Sequence, residues 1–316
     1  MSDLNMSDLI FHHYPVSPFA EKMRLVLGYK NLSWKSVMIP SIMPKPDVVA
    51  LTGGYRRTPI LQIGADIYCD TALIADVLER LAPTPSLYPV TINGVARTLA
   101  QWADTTLFWT AIAYTFQPAA MPGILGDITP EQMKAFGADR AAMRANAPRM
   151  SLPEATGQLQ EYLRRLDNML ADGQAYLLGD QASIADFSVV HALWFIRRVP
   201  AVAGILDAHP LLLTWMDKIA AFGHGQFEKM RSAEAIELVS TSTPAAVTSS
   251  FVDTHGIALG EQVTIMPNDY ALDPVQGELV ICSANQLAVR RHDDRAGNVT
   301  VHFPRVGFQM KRVIPT

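Results

Sequence analysis

The sequence predicts an α/β unit, an all-α helical bundle and a small antiparallel β unit, in that order along the chain. Residues 6–82 alternate short apolar runs with helical patterns, and residues 90–240 show helical periodicity throughout. Residues 245–316 alternate apolar with polar positions, as strands do. The proline-rich "PTPSLYP" and the polar "STSTPAAVTSS" mark breaks between these stretches, so we set three domains at 6–82, 90–240 and 245–316.

Composition narrows the class of protein. The length of 316 residues suggests about two domains, and a chain that is 49% hydrophobic and 18% charged is expected to fold around a sizeable core. A net charge of -4 gives no reason to expect a nucleic-acid partner. We expect no membrane segment and no secretory signal, because long apolar runs are missing. Two distant cysteines, Cys69 and Cys282, predict a reducing, cytoplasmic location without disulfides.

Within the first unit, apolar periodicity predicts the order β-α-β followed by β-β-α. Short apolar runs mark the strands, and one apolar face at helical spacing marks each helix. The predicted elements are a strand at 9–11, a helix carrying Phe19, Met23, Val26 and Leu27, a strand over 34–39, a loop over 40–54, strands at 60–63 and 67–68, and a helix carrying Ile74, Val77, Leu78 and Leu81. The first two strands are expected to be parallel, because a strand–helix–strand unit usually joins parallel strands.

The other two units show one clear pattern each. In the second unit, a stripe of Leu159, Leu163, Leu166 and Leu170 predicts a helix packed in a bundle. In the third unit, apolar residues alternate with polar ones over 299–303 and 306–310. The stretch "DDRAGN", residues 293–298, is a candidate hairpin turn. These patterns predict that the third unit is a small antiparallel sheet or barrel. No segment of it carries a recognisable chemical motif.

Ser17 stands where the first strand leads into the first helix. It precedes Pro18, and proline is favoured at the first helical position, so a serine here is an ordinary N-cap. The same position also suits a chemical role, since a helix N-terminus attracts anions and eases the ionisation of a nearby thiol. Ser17 would then donate its hydroxyl proton to a bound thiolate without becoming covalently attached.

Two later positions allow a similar pair of interpretations. Thr58 precedes Pro59 at the entry to a strand, and a cis bond there would turn the Thr58 backbone outward to pair with an extended ligand. The alternative is a plain strand-entry proline. Asp70 and Thr71 stand at the start of a helix, where both are good caps. Their functional alternative is to hold an ammonium and a carboxylate group of a ligand.

The order and spacing of these residues resemble the glutathione-binding, thioredoxin-like domain of the glutathione transferases, and the local sequence is most similar to the omega class. That class has a cysteine followed by Pro-Phe-Ala-Glu and a basic residue; here the stretch is "SPFAEKMRLVL", with Ser17 at the cysteine position. The family's cis-proline matches Pro59, and its acidic-plus-Ser pair matches Asp70 and Thr71. The resemblance implies that the Thr58 backbone pairs with the cysteinyl part of glutathione, while Asp70 and Thr71 hold its γ-glutamyl end.

A second match lies in the helical unit. Residues Ser183–Asp186 read Ser-Ile-Ala-Asp, which predicts a capping box at the start of a helix. In the glutathione transferases, a Gly-Asp pair shortly before such a box is a recurrent folding element, and Gly179-Asp180 occupies that place. We expect this box to be structural. The resemblance covers about residues 7–235 and does not extend to the last unit.

The serine changes the implied chemistry. A cysteine at position 17 would form a mixed disulfide with glutathione and exchange thiols, which serine cannot do. Family members with serine instead stabilise the glutathione thiolate, which attacks an electrophile. Tyr14 and His13 are rivals for the activating role, because some classes use a tyrosine near the end of the first strand; the ordinary interpretation of both is packing. Cys69 is expected to be a small buried residue.

The resemblance implies a dimeric glutathione transferase with glutathione as co-substrate, acting on a small electrophile in detoxification. A glutathione-dependent isomerase, dehalogenase or peroxidase would use the same residues, and a non-catalytic binding protein is a further alternative. No metal site is expected, because the histidine and cysteine spacings typical of metal sites are missing. Five aromatic residues on one helix are candidates for an apolar pocket wall, although such residues are usually core: Trp102, Phe108, Trp109, Tyr114 and Phe116.

Overall fold

The computed structural model describes residues 9–144, 149–246, 250–252 and 254–314. Outside these ranges lie residues 1–8, 145–148, 247–249, 253 and 315–316. The first three residues of the first predicted domain, the last two of the third and part of the polar linker between the second and third are therefore not described.

The N-terminal unit has the predicted order of strands and helices, with one helix more. Its elements are β1 (Ile10–His13), α1 (Pro18–Tyr29), β2 (Ser33–Met38), α2 (Pro46–Thr52), β3 (Ile60–Ile63), β4 (Asp66–Cys69) and α3 (Thr71–Leu81). Strand β1 pairs parallel with β2 and antiparallel with β3, which pairs antiparallel with β4. The loop predicted over 40–54 is wrong where α2 forms. Pro46 in its first turn and Gly53 in the left-handed region after its end are the helix signals that the loop composition hid.

The second unit is a helical bundle, as predicted. Its α-helices are α4 (Asn93–Trp102), α5 (Phe108–Thr115), α6 (Met121–Leu125), α7 (Pro130–Arg144), α8 (Leu152–Met169), α9 (Ile184–Arg197), α10 (Pro200–Ala203) and α11 (Pro210–Ala220). A π-helical segment, Ala103–Leu107, joins α4 to α5 without a break. The leucine stripe predicted on α8 is buried along its whole length.

The end of this unit departs from the all-helical prediction. Strand β5 (Gln226–Met230) returns the chain to the N-terminal sheet and pairs parallel with β2, and α12 (Ser232–Thr241) follows it. The strand lies at the edge of the sheet with most of its residues exposed, so it lacks the apolar run that would have predicted it. Phe227 packs its ring on Trp34, with 4.8 Å between the centroids.

The C-terminal unit consists of antiparallel strands, as predicted. They are β6 (Gln262–Pro267), β7 (Val275–Cys282), β8 (Gln286–Asp293), β9 (Gly297–Pro304) and β10 (Phe308–Arg312). The predicted hairpin turn joins β8 to β9, where Asp293 pairs with Gly297. Gly297 has a φ of 69°, a conformation that glycine adopts without strain.

The ten strands in the described part of the chain form one sheet, which the separate sequence patterns did not indicate. The strand order is β10-β6-β7-β8-β9-β4-β3-β1-β2-β5, and β9 pairs parallel with β4. At this seam the His302 Nε2 lies 2.7 Å from an Asp66 carboxylate oxygen, and its ring stacks on Tyr68. One buried apolar cluster runs from Val37 and Ile67 to Val301. The C-terminal strands therefore share a core with the N-terminal unit.

The opposite face of the N-terminal sheet packs on the helical bundle through a second large apolar cluster. No individual helix in the described part of the chain is both long and apolar enough for a membrane span; Ile184–Arg197 and Pro200–Leu206 meet that criterion only as a pair, bent by 113°. Across the same described ranges, no three His, Cys, Asp or Glu side chains come together as a metal-binding group.

Candidate functional site

A cavity of about 680 Å³ lies where the ends of β1 and β3 meet the helical bundle. The strand registers bring the site candidates to one edge of the sheet. Because His12 pairs with Ile60, and Ile60 pairs with Cys69, the residues following β1, preceding β3 and following β4 are neighbours. Ser17 and Thr58 both line the cavity.

Ser17 caps α1, as the first of its two interpretations predicts, and it also lines the cavity. It is the N-cap of α1, and its Oγ accepts a hydrogen bond from the Ala20 N–H at 3.2 Å. Its own N–H donates to the Tyr14 carbonyl at 3.2 Å, which fixes the turn. Only 2% of Ser17 is exposed, and that surface faces the cavity. Among the described residues its hydroxyl proton has no acceptor, so it is free to donate to a ligand.

The Thr58-Pro59 peptide bond is cis, as the family resemblance implies. The Thr58 backbone has no hydrogen-bond partner within the described ranges, and its side chain accepts from Lys45 Nζ at 3.2 Å. Lys45 is buried at the start of α2, and burial lowers the pKa of its ammonium group to about 8. Thr58 thus offers a free main-chain edge beside a buried cation.

Asp70 and Thr71 begin α3, as predicted. The Asp70 carboxylate accepts from the Ala72 N–H at 2.9 Å and so caps the helix. Burial raises the pKa of Asp70, although the nearby Arg57 favours its ionised form. The Thr71 hydroxyl accepts from Lys22 Nζ at 3.1 Å. Neither side chain lines the main cavity, so the structure places this pair beside it, next to the Thr58-Pro59 bond.

A buried ionic group ties this corner to the helical bundle. Lys22 is fully buried on α1, and its Nζ lies 2.6 Å from the Asp104 carboxylate in the π-helical segment. The other Asp104 oxygen lies 3.0 Å from His191 Nε2 on α9. Burial opposes the ionisation of Asp104, but Lys22 and His191 together lower its pKa. Lys22, which the sequence interpretation did not single out, therefore holds Thr71 in place from a fixed point between the two units.

The two rivals of Ser17 lie in different places. Tyr14 lines the cavity, with Lys45 Nζ 5.5 Å from the centre of its ring. His13 does not line it, and both of its ring nitrogens are engaged, by Ser36 at 2.9 Å and Arg24 at 3.0 Å. Because burial lowers the pKa of His13 to about 3, its imidazole is neutral at neutral pH. The geometry thus favours Ser17 and Tyr14 over His13 as the hydroxyl or imidazole that faces a ligand.

The predicted aromatic wall is correct for three residues out of five. Phe108, Trp109 and Phe116 line the cavity, together with aliphatic residues of α5 and α6. The other two point elsewhere, because consecutive helix positions face different directions. Trp102 packs on Tyr162 with 5.2 Å between the ring centres, and the Tyr114 hydroxyl donates to the Val202 carbonyl at 3.2 Å.

Tyr270, from the loop between β6 and β7, completes the cavity from the C-terminal unit. Its ring meets Trp109 edge-on with 5.0 Å between centroids, and the Arg57 guanidinium lies 3.8 Å above it. Arg57 also donates to the Asp269 carboxylate and the Tyr270 carbonyl. Burial raises the pKa of Tyr270 to about 12. No local sequence pattern predicts that Tyr270 lines the cavity, because its contacts with Arg57 and Trp109 join residues that lie more than half of the chain apart.

The two cysteines are free and buried, in agreement with the packing role expected for Cys69. Burial raises the pKa of the Cys69 thiol well above its usual range, and the neighbouring Asp70 adds to this shift. A thiol in this state is a poor nucleophile. Cys69 therefore does not replace the cysteine that Ser17 lacks.

Comparison with known proteins matches parts of the N-terminal unit and of the helical bundle to domains of one protein family. Residues 11–86 match the model of the glutathione S-transferase N-terminal domain, and residues 149–218 match that of the C-terminal domain. Among solved structures, a GST-like protein from Pseudomonas syringae is 43% identical with a TM-score of 0.82, over 97% of this chain and 100% of that chain. No match was found among curated proteins.

More distant structures share the fold alone. A glutathione S-transferase from Rhodospirillum rubrum F11 is 19% identical with a TM-score of 0.51, over 67% of this chain and 88% of that chain. A beta-etherase from Sphingobium sp. strain SYK-6 is also 19% identical at a TM-score of 0.51, over 68% and 95% of the two chains. The extent and identity of the Pseudomonas syringae match, together with both domain matches, lead to one assignment. The chain belongs to the glutathione S-transferase family.

Proposed function

We propose that the protein is a glutathione transferase in which Ser17 stabilises the thiolate of bound glutathione, and that this thiolate attacks a small electrophile. The observation that carries the proposal is the Ser17 hydroxyl, whose proton is free, at the N-terminus of α1 on the wall of a largely apolar cavity. A helix N-terminus and a hydroxyl donor both favour a negative charge on a nearby sulfur.

Glutathione would bind along the edge of the N-terminal sheet. Its cysteinyl main chain would pair with the free Thr58 backbone, which places the sulfur toward Ser17. Its γ-glutamyl ammonium would pair with Asp70, and Thr71 would bind the adjoining carboxylate. Lys45, buried beside Thr58, is a cation available to the remaining carboxylate of glutathione.

In this mechanism the thiol proton leaves to solvent, and the Ser17 hydroxyl then donates a hydrogen bond to the thiolate sulfur. The electrophile would enter the apolar part of the cavity, between Phe108, Phe116 and the short helix α6. Exclusion of water there strengthens the electrostatic interactions of the thiolate and orients the reacting carbon. We also propose that the protein acts as a homodimer in the cytoplasm.

The test is glutathione binding by calorimetry with the native protein and Ser17→Ala, followed by the ultraviolet absorbance of the bound thiolate across pH. The native protein should bind glutathione and lower the pKa of its thiol from about 8.5 to about 6–7. The Ser17→Ala variant should still bind glutathione but leave its thiol mostly protonated near neutral pH. Equal thiolate formation by both proteins would transfer the role to Tyr14, and failure of both to bind glutathione would refute the proposed function.

Turnover would then identify the reaction. A panel of aryl halides, haloalkanes and hydroperoxides separates transfer from dehalogenase and peroxidase chemistry, since the same bound thiolate would serve all three. Conjugation of an aryl halide with release of halide is the result that transfer predicts.

A further inference from the structure

The cavity is cationic, although the whole chain carries a net charge of -4. Among the described residues that line it, no side chain is acidic and none is a histidine. Six cationic side chains line it: Lys45, Arg56, Arg57, Arg140, Arg144 and Arg149. When charged side chains of one sign cluster in a cavity with low-dielectric walls, they attract ligands of the opposite charge.

Nearby carboxylates balance only part of this charge. Asp139 pairs with Arg56 and lies 3.9 Å from Arg140, and Asp269 pairs with Arg57. Lys45, Arg144 and Arg149 have no carboxylate partner in the described part of the chain. The proposed glutathione site includes Lys45, so Arg144 and Arg149 are the unpaired lining cations left for a second ligand among the described residues.

Arg144 is the last residue of α7, and Arg149 follows shortly after it. The four residues between them, 145–148, are Ala-Asn-Ala-Pro in the sequence and supply no acid. Burial lowers the pKa of Arg144, and the charge of Arg149 lowers it further. The Arg144 guanidinium lies 5.9 Å from the centre of the Trp109 ring, so the charged group adjoins the apolar wall.

The end of α7 is fixed from two other units of the fold. The Ala271 N–H, in the same loop as Tyr270, donates to the Met143 carbonyl at 2.6 Å. Arg140, one turn earlier, donates to the Ser41 carbonyl in the N-terminal unit at 2.6 Å. These contacts fix the end of α7, and with it the backbone that carries Arg144, before any ligand arrives, which reduces the entropy lost on binding.

We propose, resting on the proposed function, that the second substrate is a small carboxylic acid with an apolar body. Its carboxylate would pair with Arg144 and Arg149, relieving their mutual repulsion through charge-assisted hydrogen bonds. Its apolar body would lie against Trp109 and Phe116, with the electrophilic carbon toward Ser17. In a substrate that carries a halogen on this carbon, the thiolate sulfur attacks the carbon, a carbon–sulfur bond forms, and the halide departs with the electron pair of the carbon–halogen bond.

The test compares 4-(bromomethyl)benzoate with its methyl ester, which replaces the charge by one methyl group, in glutathione conjugation by the full chain. The native protein should favour the carboxylate in kcat/KM. The double variant Arg144→Gln/Arg149→Gln should lower the carboxylate-to-ester ratio about tenfold. The control, Arg164→Gln/Arg165→Gln, removes two exposed arginines of α8 and should keep the native ratio. A circular dichroism melt confirms that each variant is folded.

A native preference for the ester, or a ratio that is unchanged in the Arg144/Arg149 double variant, would overturn the inference. If neither compound is turned over, quenching of tryptophan fluorescence by 4-methylbenzoate and by its methyl ester gives a separate answer. Weaker binding of the carboxylate by the double variant would support the anion site. Glutathione calorimetry would then decide separately whether the transferase proposal fails. Equal binding of acid and ester would overturn the anion site by itself.

Discussion

At the scale of single residues, the Ser17 oxygen is the N-cap of α1 and also the atom to which we assign the stabilisation of a thiolate. A hydroxyl has two lone pairs and one proton, so its oxygen can accept from the Ala20 N–H and still donate to a sulfur. The bond to Ala20 also restricts the rotation of the side chain, and the residue lines the cavity. The capping and functional interpretations of this serine are therefore compatible.

A change of one atom at this position should change the reaction. We expect Ser17→Cys to form a mixed disulfide with oxidised glutathione, because the N-terminus of α1 favours a thiolate there. Intact-mass measurement after incubation detects the adduct. Ser17→Ala is the matched control and should form none, since Cys69 and Cys282 are buried. An adduct of equal yield on the alanine variant would contradict this expectation.

His12 should make the stability of the fold depend on pH. It is fully buried and bonded to Gln62 at 2.8 Å, and burial lowers its pKa from 6.5 to about 4. Above pH 6.5 both the folded and the unfolded states hold it neutral, so its contribution is complete. As the pH falls from 6.5 toward 4, the unfolded state takes up a proton first, and the free energy of unfolding decreases.

Denaturant unfolding at several pH values measures this decrease. We expect His12→Gln to remove up to about 1.4 kcal/mol per pH unit of the slope in this window. The control is His292→Gln, which removes an exposed histidine and should keep the native slope. A native slope in the His12 variant would assign the pH dependence to other groups, His13 first among them.

At the scale of elements, the start of α9 depends on one carboxylate. Asp186 is fully buried and accepts from the N–H groups of Ser183 and Leu177, both at 2.9 Å, and from the Trp215 indole at 3.0 Å. The Ser183 hydroxyl donates to it as well, at 3.1 Å. The carboxylate half of the predicted capping box is therefore present, and the same side chain also joins α9 to α11.

Removal of the Asp186 carboxylate should lower the free energy of unfolding far more than removal of the exposed Glu154 carboxylate. We expect Asp186→Ala to lower the free energy of unfolding by about 3 kcal/mol or more, because it leaves several buried donors without an acceptor. Glu154 at the start of α8 also closes a capping box, but in solvent, and Glu154→Ala should cost only about 0.5–1 kcal/mol. Urea unfolding of both variants checks the difference, and equal costs would contradict the tertiary role of Asp186.

Local signals of this kind explain which elements the sequence predicts. Helices α1, α3 and α9 begin at cap residues and carry an apolar face, and all of that information lies within a few positions. The pairing of β4 with β9 joins Asp66 to Thr300, and no local pattern encodes so distant a contact. Tyr270 and Arg144 were missed for the same reason, because only the folded chain brings them to the wall that faces Ser17.

At the scale of the whole molecule, the continuous sheet makes the C-terminal strands part of the glutathione-transferase core. Strand β9 covers the outer edge of β4, and Val299, Val301 and Phe303 enter the same buried cluster as Ile67. Ala245, just after α12, donates to the Asp66 carboxylate at 2.7 Å. The last unit is therefore tied to the first by main-chain pairing, apolar packing and hydrogen bonds.

A chain that ends at residue 244 should not behave as a stable two-domain protein. It would expose one side of the shared cluster and the edge of β4, so we expect low solubility and loss of a cooperative thermal transition. In the full chain, hydrogen exchange should show β4 and β9 opening together. A soluble truncated protein with the melting temperature of the full chain, or a β9 that exchanges much faster than β4, would refute this coupling.

The pairing order also has a consequence for synthesis on the ribosome. The strands β1 to β4 emerge first, yet β2 meets its outer neighbour only at Gln226–Met230, and β4 only at Gly297–Pro304. The nascent sheet therefore has two open edges until β5 emerges, and the edge at β4 stays open until nearly all of the chain has been translated. Another nascent chain can pair with an open edge. Chaperone contact during translation should therefore persist until β9 emerges, well after the helical bundle is complete.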